Sequence, residues 1–273
     1  AYEIYQCDWS SDVCSSDLNL TIEAEAQALG LNIAGGRVTG LRYAKDGQVH
    51  TAQGDRVVLA SGVYHSPQLL QLSGIGPTAE LQRIGVPAVR DLPGVGQNYH
   101  DHASVTLTFE GRAAFRPDWV VPRFRLMFKS DPSRPAADFH IFQRPPTLIE
   151  GMTPMMPITL HLLEQRETGR LRLVSTDPTD LPEVDAPMLE HPGDIAAMQA
   201  AMDWVRDLVA SPAMQPFYGA VLQPKAGDDW SYHARVSHGT YHHGVGTCKM
   251  GPATDPLAVV GPNLRVHGMD NLW

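Results

Sequence analysis

Val57-Val58-Leu59-Ala60-Ser61-Gly62 is a continuous apolar run stopped by a small polar residue and a glycine. A run without alternation is the pattern of a strand buried on both faces of a parallel sheet. Ser66-Pro67-Gln68-Leu69-Leu70-Gln71-Leu72 comes shortly after it. Serine ahead of proline is a good N-cap and first-turn pair, so a helix entered at Ser66 is predicted. Ser73-Gly74-Ile75-Gly76-Pro77 ends it, and Thr78 caps a second, shorter helix from Ala79 to Ile84, closed by Gly85. A buried strand feeding directly into helices fits an α/β fold.

The pattern changes on both sides of this unit. Towards the N-terminus, Leu20-Thr21-Ile22 begins a strand, and Val38 to Tyr43 alternates apolar and polar residues ahead of the hairpin pair Asp46-Gly47. Towards the C-terminus, residues 104–165 are rich in proline and carry alternating stretches such as Ile158 to Leu162. Gly169 to Val174 alternates as well. Residues 194–209 form the clearest helix: Ile195, Met198, Met202, Val205 and Val209 step by three and four, behind Asp194 and ahead of Pro212. Its methionines read as core.

Composition narrows the classes of function. The chain has 273 residues, 43% of them hydrophobic, which is ample for sizeable cores. Its formal charge of -9 and the lack of any Lys/Arg cluster argue against a nucleic-acid partner and for a small molecule. No apolar run is long enough to span a membrane. No basic-then-apolar start marks a secretory signal, and three cysteines (Cys7, Cys14 and Cys248) are no disulfide framework. A reducing, cytoplasmic setting is expected. Residues 7–18, CDWSSDVCSSDL, fit neither a helix nor a strand period and back-translate onto a common sequencing adapter. They are read as an artefact, with residues 1–18 set aside and the true domain starting near Asn19. Removing Asp8, Asp12 and Asp17 with them brings the charge from -9 to -6.

Three Gly-x-Gly pairs occur, at Gly74/Gly76, Gly94/Gly96 and Gly244/Gly246. None continues to a third glycine three positions on, so each reads as a turn and no dinucleotide fingerprint is present. Histidines cluster at His100-Asp101-His102 and from His238 to His243. His238 and His242 are four apart and could share a helix face, which opens the reading of a metal-dependent hydrolase using His100, His102, His238 and His242. Gly239 and Thr240 are poor helix formers and weaken it, and no metal site is expected. A non-catalytic binding module is the third reading. Cys248 reads as a small buried hydrophobe.

The stretch from Ser66 to Pro77 closely resembles the second signature of the glucose-methanol-choline (GMC) oxidoreductases. Leu92-Pro93-Gly94-Val95-Gly96-Gln97-Asn98-Tyr99-His100-Asp101-His102 is similar to the family's next block. His243-Gly244-Val245-Gly246-Thr247-Cys248-Lys249-Met250-Gly251 resembles the block bearing its first active-site histidine, and Leu264 to Gly268 resembles the strand leading to its last block. The order and spacing fit over residues 19–273. Val63 stands where the family has a small residue, and Gly261 where aspartate is common.

The resemblance implies FAD as cofactor and a small-molecule alcohol as substrate, oxidised to an aldehyde or ketone. It implies His243 as the base, His242 as a substrate contact, and Ala28, Ser61, Gly62 and Asn98 as cofactor contacts. It divides the chain into an incomplete doubly wound FAD-binding domain (19–103 and 244–273) around an antiparallel substrate domain with helices (104–243). The family's Gly-rich loop for the flavin pyrophosphate belongs upstream of Asn19, and a second catalytic His or Asn belongs after Trp273. The chain as written is therefore expected to be an inert fragment. The second residue matters physically, because histidine titrates near 6.5 and a hydroxyl near 15.7. That gap makes free alkoxide cost about 12 kcal/mol, so proton loss must be coupled to hydride departure or helped by a second group.

Overall fold

The structure, a computed structural model, describes residues 21–112, 125–225 and 227–273. Residues 7–18, with Cys7 and Cys14, lie outside them. The chain opens with a hairpin of β1 (Gln27–Ala34) and β2 (Arg37–Lys45), extended by β3 (Gln48–Ala52) into a three-stranded antiparallel sheet. Asp46 and Gly47 both have positive φ (50° and 72°), the backbone that a two-residue hairpin turn needs. The strand expected at Leu20-Thr21-Ile22 does not form over its described residues, and Ile22 is 70% exposed. β2 finds its partner across the Gly35-Gly36 turn instead, where both glycines also have positive φ.

Val57 to Leu59 runs parallel to the C-terminal Leu272-Trp273. Val57 N–H donates to Asn271 O at 2.9 Å, Leu59 N–H to Trp273 O at 2.7 Å, and Trp273 N–H to Val57 O at 2.8 Å. The pairing is parallel as expected, but the strand is not buried on both faces. Val57 and Leu59 turn to the core while Val58 is 70% exposed, because no described residue covers its side.

Helix α1 spans Gly62–Leu72. It starts four residues before the expected Ser66 cap and carries Pro67 in its interior. Ser61 is the N-cap, and Ser66 Oγ accepts from Ser61 N–H at 3.0 Å. Pro67 has no N–H to give to the carbonyl one turn back, that of Val63. The Thr247 hydroxyl donates to that carbonyl at 2.6 Å, so a residue 184 positions away replaces the missing bond. β4 (Ile75–Gly76) pairs in parallel with β5 (Arg90–Asp91) around the short α2 (Thr78–Arg83). Asp91 Oδ1 accepts from the N–H and hydroxyl of Thr78 there.

The middle of the chain builds a six-stranded antiparallel sheet. Its strands are β7 (Ala103–Gly111), β8 (Arg125–Phe128), β9 (Phe139–Gln143), β10 (Met155–Leu162), β13 (Tyr218–Gln223) and β14 (Gly239–Thr240). Strand order is β13-β7-β10-β9-β8, with β14 on β7. A smaller sheet joins β6 (Gln97–Tyr99), β11 (Gly169–Arg172) and β12 (Glu183–Asp185). One face of the large sheet (Val105, Leu107, Phe109, Ile141, Ile158, Leu160) packs against helix α3 (Pro192–Ala210). All five apolar positions predicted on α3 are buried. The helix begins two residues earlier than Asp194: His191 Nδ1 accepts from Gly193 N–H at 3.0 Å, and buried Asp194 pairs with Arg166. The other face is polar, with Ser104, Thr159 and His161 also buried. A second core gathers Leu31, Val38, Leu70, Ile75 and Val95 with Val259, Val266, Met269 and Leu272. These layers are α/β, as the sequence predicts.

Candidate active site

Helix α4 (Trp230–Ser237) ends at the C-cap His238, and the chain turns back along β7. Gly239 and Thr240 pair with Ser104 and Ala103. Tyr241 N–H donates to His102 O at 3.1 Å, and His100 and Val245 exchange two backbone bonds of 2.9 Å. Residues 239–245 therefore run antiparallel to 100–104, which places His243 beside His102, with ring centroids 5.5 Å apart and edge to face.

Asp101 holds this turn together. It is 4% exposed, and its Oδ1 accepts from His102 N–H at 2.7 Å and His243 N–H at 3.1 Å. Its Oδ2 accepts from the Thr240 hydroxyl, and Thr240 Oγ1 in turn accepts from His242 N–H at 2.8 Å. One buried carboxylate thus satisfies donors from three residues. Gly246 sits where only glycine fits: its φ is +100°, and a Cβ there would meet Asn98 O at 2.0 Å.

The His243 to Cys248 strip separates two cavities. One, of about 300 Å³, is lined by His100, Asp101, His102, Leu163, Glu164, Gln165, His243 and Val245. The other, of about 490 Å³, is lined by Gly62, Val63, Gly244 to Cys248 and Trp273, among others, and Val245 borders both. A third, of about 390 Å³, lies against Ala28, Ser61, His65 and Gln68. Ala28 and Ser61, far apart in sequence, thus meet at one cavity, and Gly62 faces the next. Asn98 lines none of the three. With φ +63°, it braces the loop, contacting His100 Nε2 through Oδ1 at 3.1 Å and donating to Gly246 O at 3.4 Å. His242 is exposed, with φ +63°, and is also outside their linings.

Burial lowers the pKa of His102, assisted by the nearby His243, and burial lowers that of His100. Both are thereby biased towards neutral imidazole. Burial pushes the Cys248 thiol up to about 12, which leaves it a packing residue on the wall of the larger cavity. The hydrolase reading finds no support. The helix stops at Ser237, so His238 and His242 do not share a helical face, and no three metal-ligating side chains converge among the described residues. Asp101, Tyr241 and Thr247 were not singled out from sequence. The signal for Asp101 was its place between two histidines beside a strand.

This strip and its carboxylate lie within matched family segments. Two family profiles, both described as GMC oxidoreductase, match residues 6–104 and 165–273. The chain belongs to the GMC oxidoreductase family. It is 32% identical to the mitochondrial choline dehydrogenase of Homo sapiens over 94% of this chain and 49% of that one. It is 30% identical to the oxygen-dependent choline dehydrogenase of Staphylococcus aureus over 93% of this chain and 51% of that one. The chain spans about half the length of these curated relatives. Among solved structures, pyridoxine 4-oxidase from Mesorbium loti matches with a TM-score of 0.88 at 23% identity, over 97% of this chain and 54% of that one. A formate oxidase matches with a TM-score of 0.80 at 21% identity, over 91% of this chain and 54% of that one. These two likenesses establish the fold.

Proposed function

We propose that this chain forms part of an enzyme that uses FAD to oxidise a small-molecule alcohol to an aldehyde or ketone, with His243 as the base. One observation carries the reading: His243 stands on a turn fixed by a buried carboxylate, between a histidine-lined cavity and a glycine-lined one. The residues suit the cofactor. A Cβ built on Gly62 meets open space at the head of α1, and Gly244 and Gly246 keep side chains off the facing wall. Ala28, Ser61 and Gly62 would hold it, with Asn98 keeping the Gly246 wall in place. FAD, when bound, supplies the acceptor for the hydride leaving the alcohol carbon.

The protein's own part is to place and take a proton. The His243 imidazole accepts the hydroxyl proton, and His242, exposed beside it and outside the cavity linings, is kept as a substrate contact on the family resemblance alone. His102 is disfavoured as a cation, so it adds no second positive charge next to the imidazolium that forms. Choline, the alcohol in the names of the relatives, is the first substrate to test. We further propose that the two hydrophobic cores mark the flavin part (19–103 and 244–273) and the substrate part (104–243), and that the protein is cytoplasmic. Among the described residues no helix is long and apolar enough to cross a membrane.

The test is expression of the complete gene product. It is expected to purify yellow and to bleach when an alcohol is added anaerobically. His243→Ala should lower kcat by roughly 10²–10⁴-fold, the usual contribution of a positioned general base. A colourless full-length product, or a variant with unchanged kcat, refutes the assignment. The 273-residue chain by itself is expected to retain no stoichiometric flavin, because no dinucleotide fingerprint occurs in it. Its visible flavin absorbance reads this directly.

A further inference from the structure

We propose that Tyr241 is a positioning residue that sets the ring of His243, and that buried His161 holds Tyr241 from its other side. The proposal rests on the reading of His243 as the base. A catalytic histidine is usually oriented by a hydrogen bond from its second ring nitrogen. Among the described residues, His243 makes its one hydrogen bond through its backbone N–H, to Asp101. His243 is itself exposed, so the contacts available to orient its ring are those with the neighbouring rings of His102 and Tyr241. The ring nearest to it is Tyr241, with centroids 4.1 Å apart and planes at 38°.

Tyr241 is in turn fixed on several sides. The His161 ring stacks on it at 3.8 Å and 23°. Phe142 meets it edge to face at 5.7 Å, and its own N–H is tied to His102 O at 3.1 Å. His161 is a rigid support. It sits on β10, paired in register with Ser104 of β7 and His140 of β9, and is 2% exposed. Its Nδ1 lies 2.6 Å from Ser104 Oγ. Burial drives its pKa down to about 4, so it stacks as a neutral ring and places no charge near the imidazolium formed at His243. The sheet ladder thus reaches the base through two stacked rings. Stacked aromatic pairs prefer defined offset geometries, which makes them suitable as spacers.

The test separates this role from the oxidation itself. In the completed enzyme with labelled histidines, the His243 ring signals, assigned by loss in His243→Asn, should be displaced upfield by the Tyr241 ring current. Tyr241→Phe should keep the displacement and Tyr241→Leu should abolish it. In the completed enzyme, Tyr241→Phe should stay within about threefold of the parent, whereas Tyr241→Leu should lower kcat on the order of 10–100-fold with KM little changed, as for a misplaced reacting group. Should the leucine variant not fold, Tyr241→Met makes the same comparison. An undisplaced signal in the parent, a displaced one in the leucine or methionine variant, or an unchanged kcat overturns the proposal. If the parent oxidises no alcohol while the displacement follows the aromatic ring, the reading of the base fails and the positioning contact stands.

Discussion

Asp101 shows how much one residue can organise. Two backbone N–H groups and a hydroxyl converge on its carboxylate, which is 4% exposed. Asp101→Ala would leave both N–H groups without an acceptor, at about 1–3 kcal/mol each. Stability is expected to fall by roughly 3 kcal/mol in urea titrations. Asp101→Asn should lose less than half of that, because its amide oxygen can still accept from His102 and His243. Equal losses would mean that charge, not acceptor geometry, holds the turn. Asp101 was hard to read in the sequence because an acid between two histidines reads equally well as surface or as metal ligand. His243 was legible only through the block His243-Gly244-Val245-Gly246-Thr247. The spacing of the histidines by itself allowed a helix face that Gly239 and Thr240 do not form.

At the scale of elements, α1 and the His243 strip are joined by a repair. Proline inside a helix orphans a carbonyl, and here Thr247 satisfies it. Thr247→Val should therefore cost about 1–2 kcal/mol in the parent. In a Pro67→Ala background the helix regains its own N–H donor, and the same change should cost little. A double-mutant cycle measures the difference, expected at about 1 kcal/mol, and additive losses would show that the hydroxyl serves another purpose. The Ser66-Pro67 pair misled the sequence reading because it is a good cap signal in isolation. Ser66 does reach back to a backbone N–H near the helix start, but to that of Ser61 from one turn inside the helix. The amphipathic α3 was legible almost to its ends, because periodicity is a local property and its partner sheet is apolar on the facing side. Val57 to Leu59 was legible as parallel but not in its burial, which depends on what lies across the exposed side of Val58.

At the scale of the molecule, the polar face of the large sheet gives stability a pH dependence. His161 has a folded pKa of about 4 against an ordinary 6.5, so folding favours its neutral form. Its contribution is intact above pH about 6.5 and is lost as pH falls towards 4, amounting to roughly 3 kcal/mol at full protonation. Urea midpoints between pH 7 and pH 4 should show this slope, and His161→Phe should flatten it. The core uniting Leu31 to Val95 with Val259 to Leu272 sets a schedule for biosynthesis. Asn271, 2% exposed, bonds to the backbone of Val38 and Asp55, so the β1–β2 hairpin waits for a residue made 233 positions after Val38. At 5–20 residues per second, roughly 180 residues must be translated between Val95 and Leu272, which takes on the order of 10–35 s. For that interval the apolar faces of Leu31, Val38 and Leu70 leave the ribosome without their partners and become natural targets for a nascent-chain chaperone, while the middle sheet and α3, complete once Thr240 has been made, can close before Leu272 arrives.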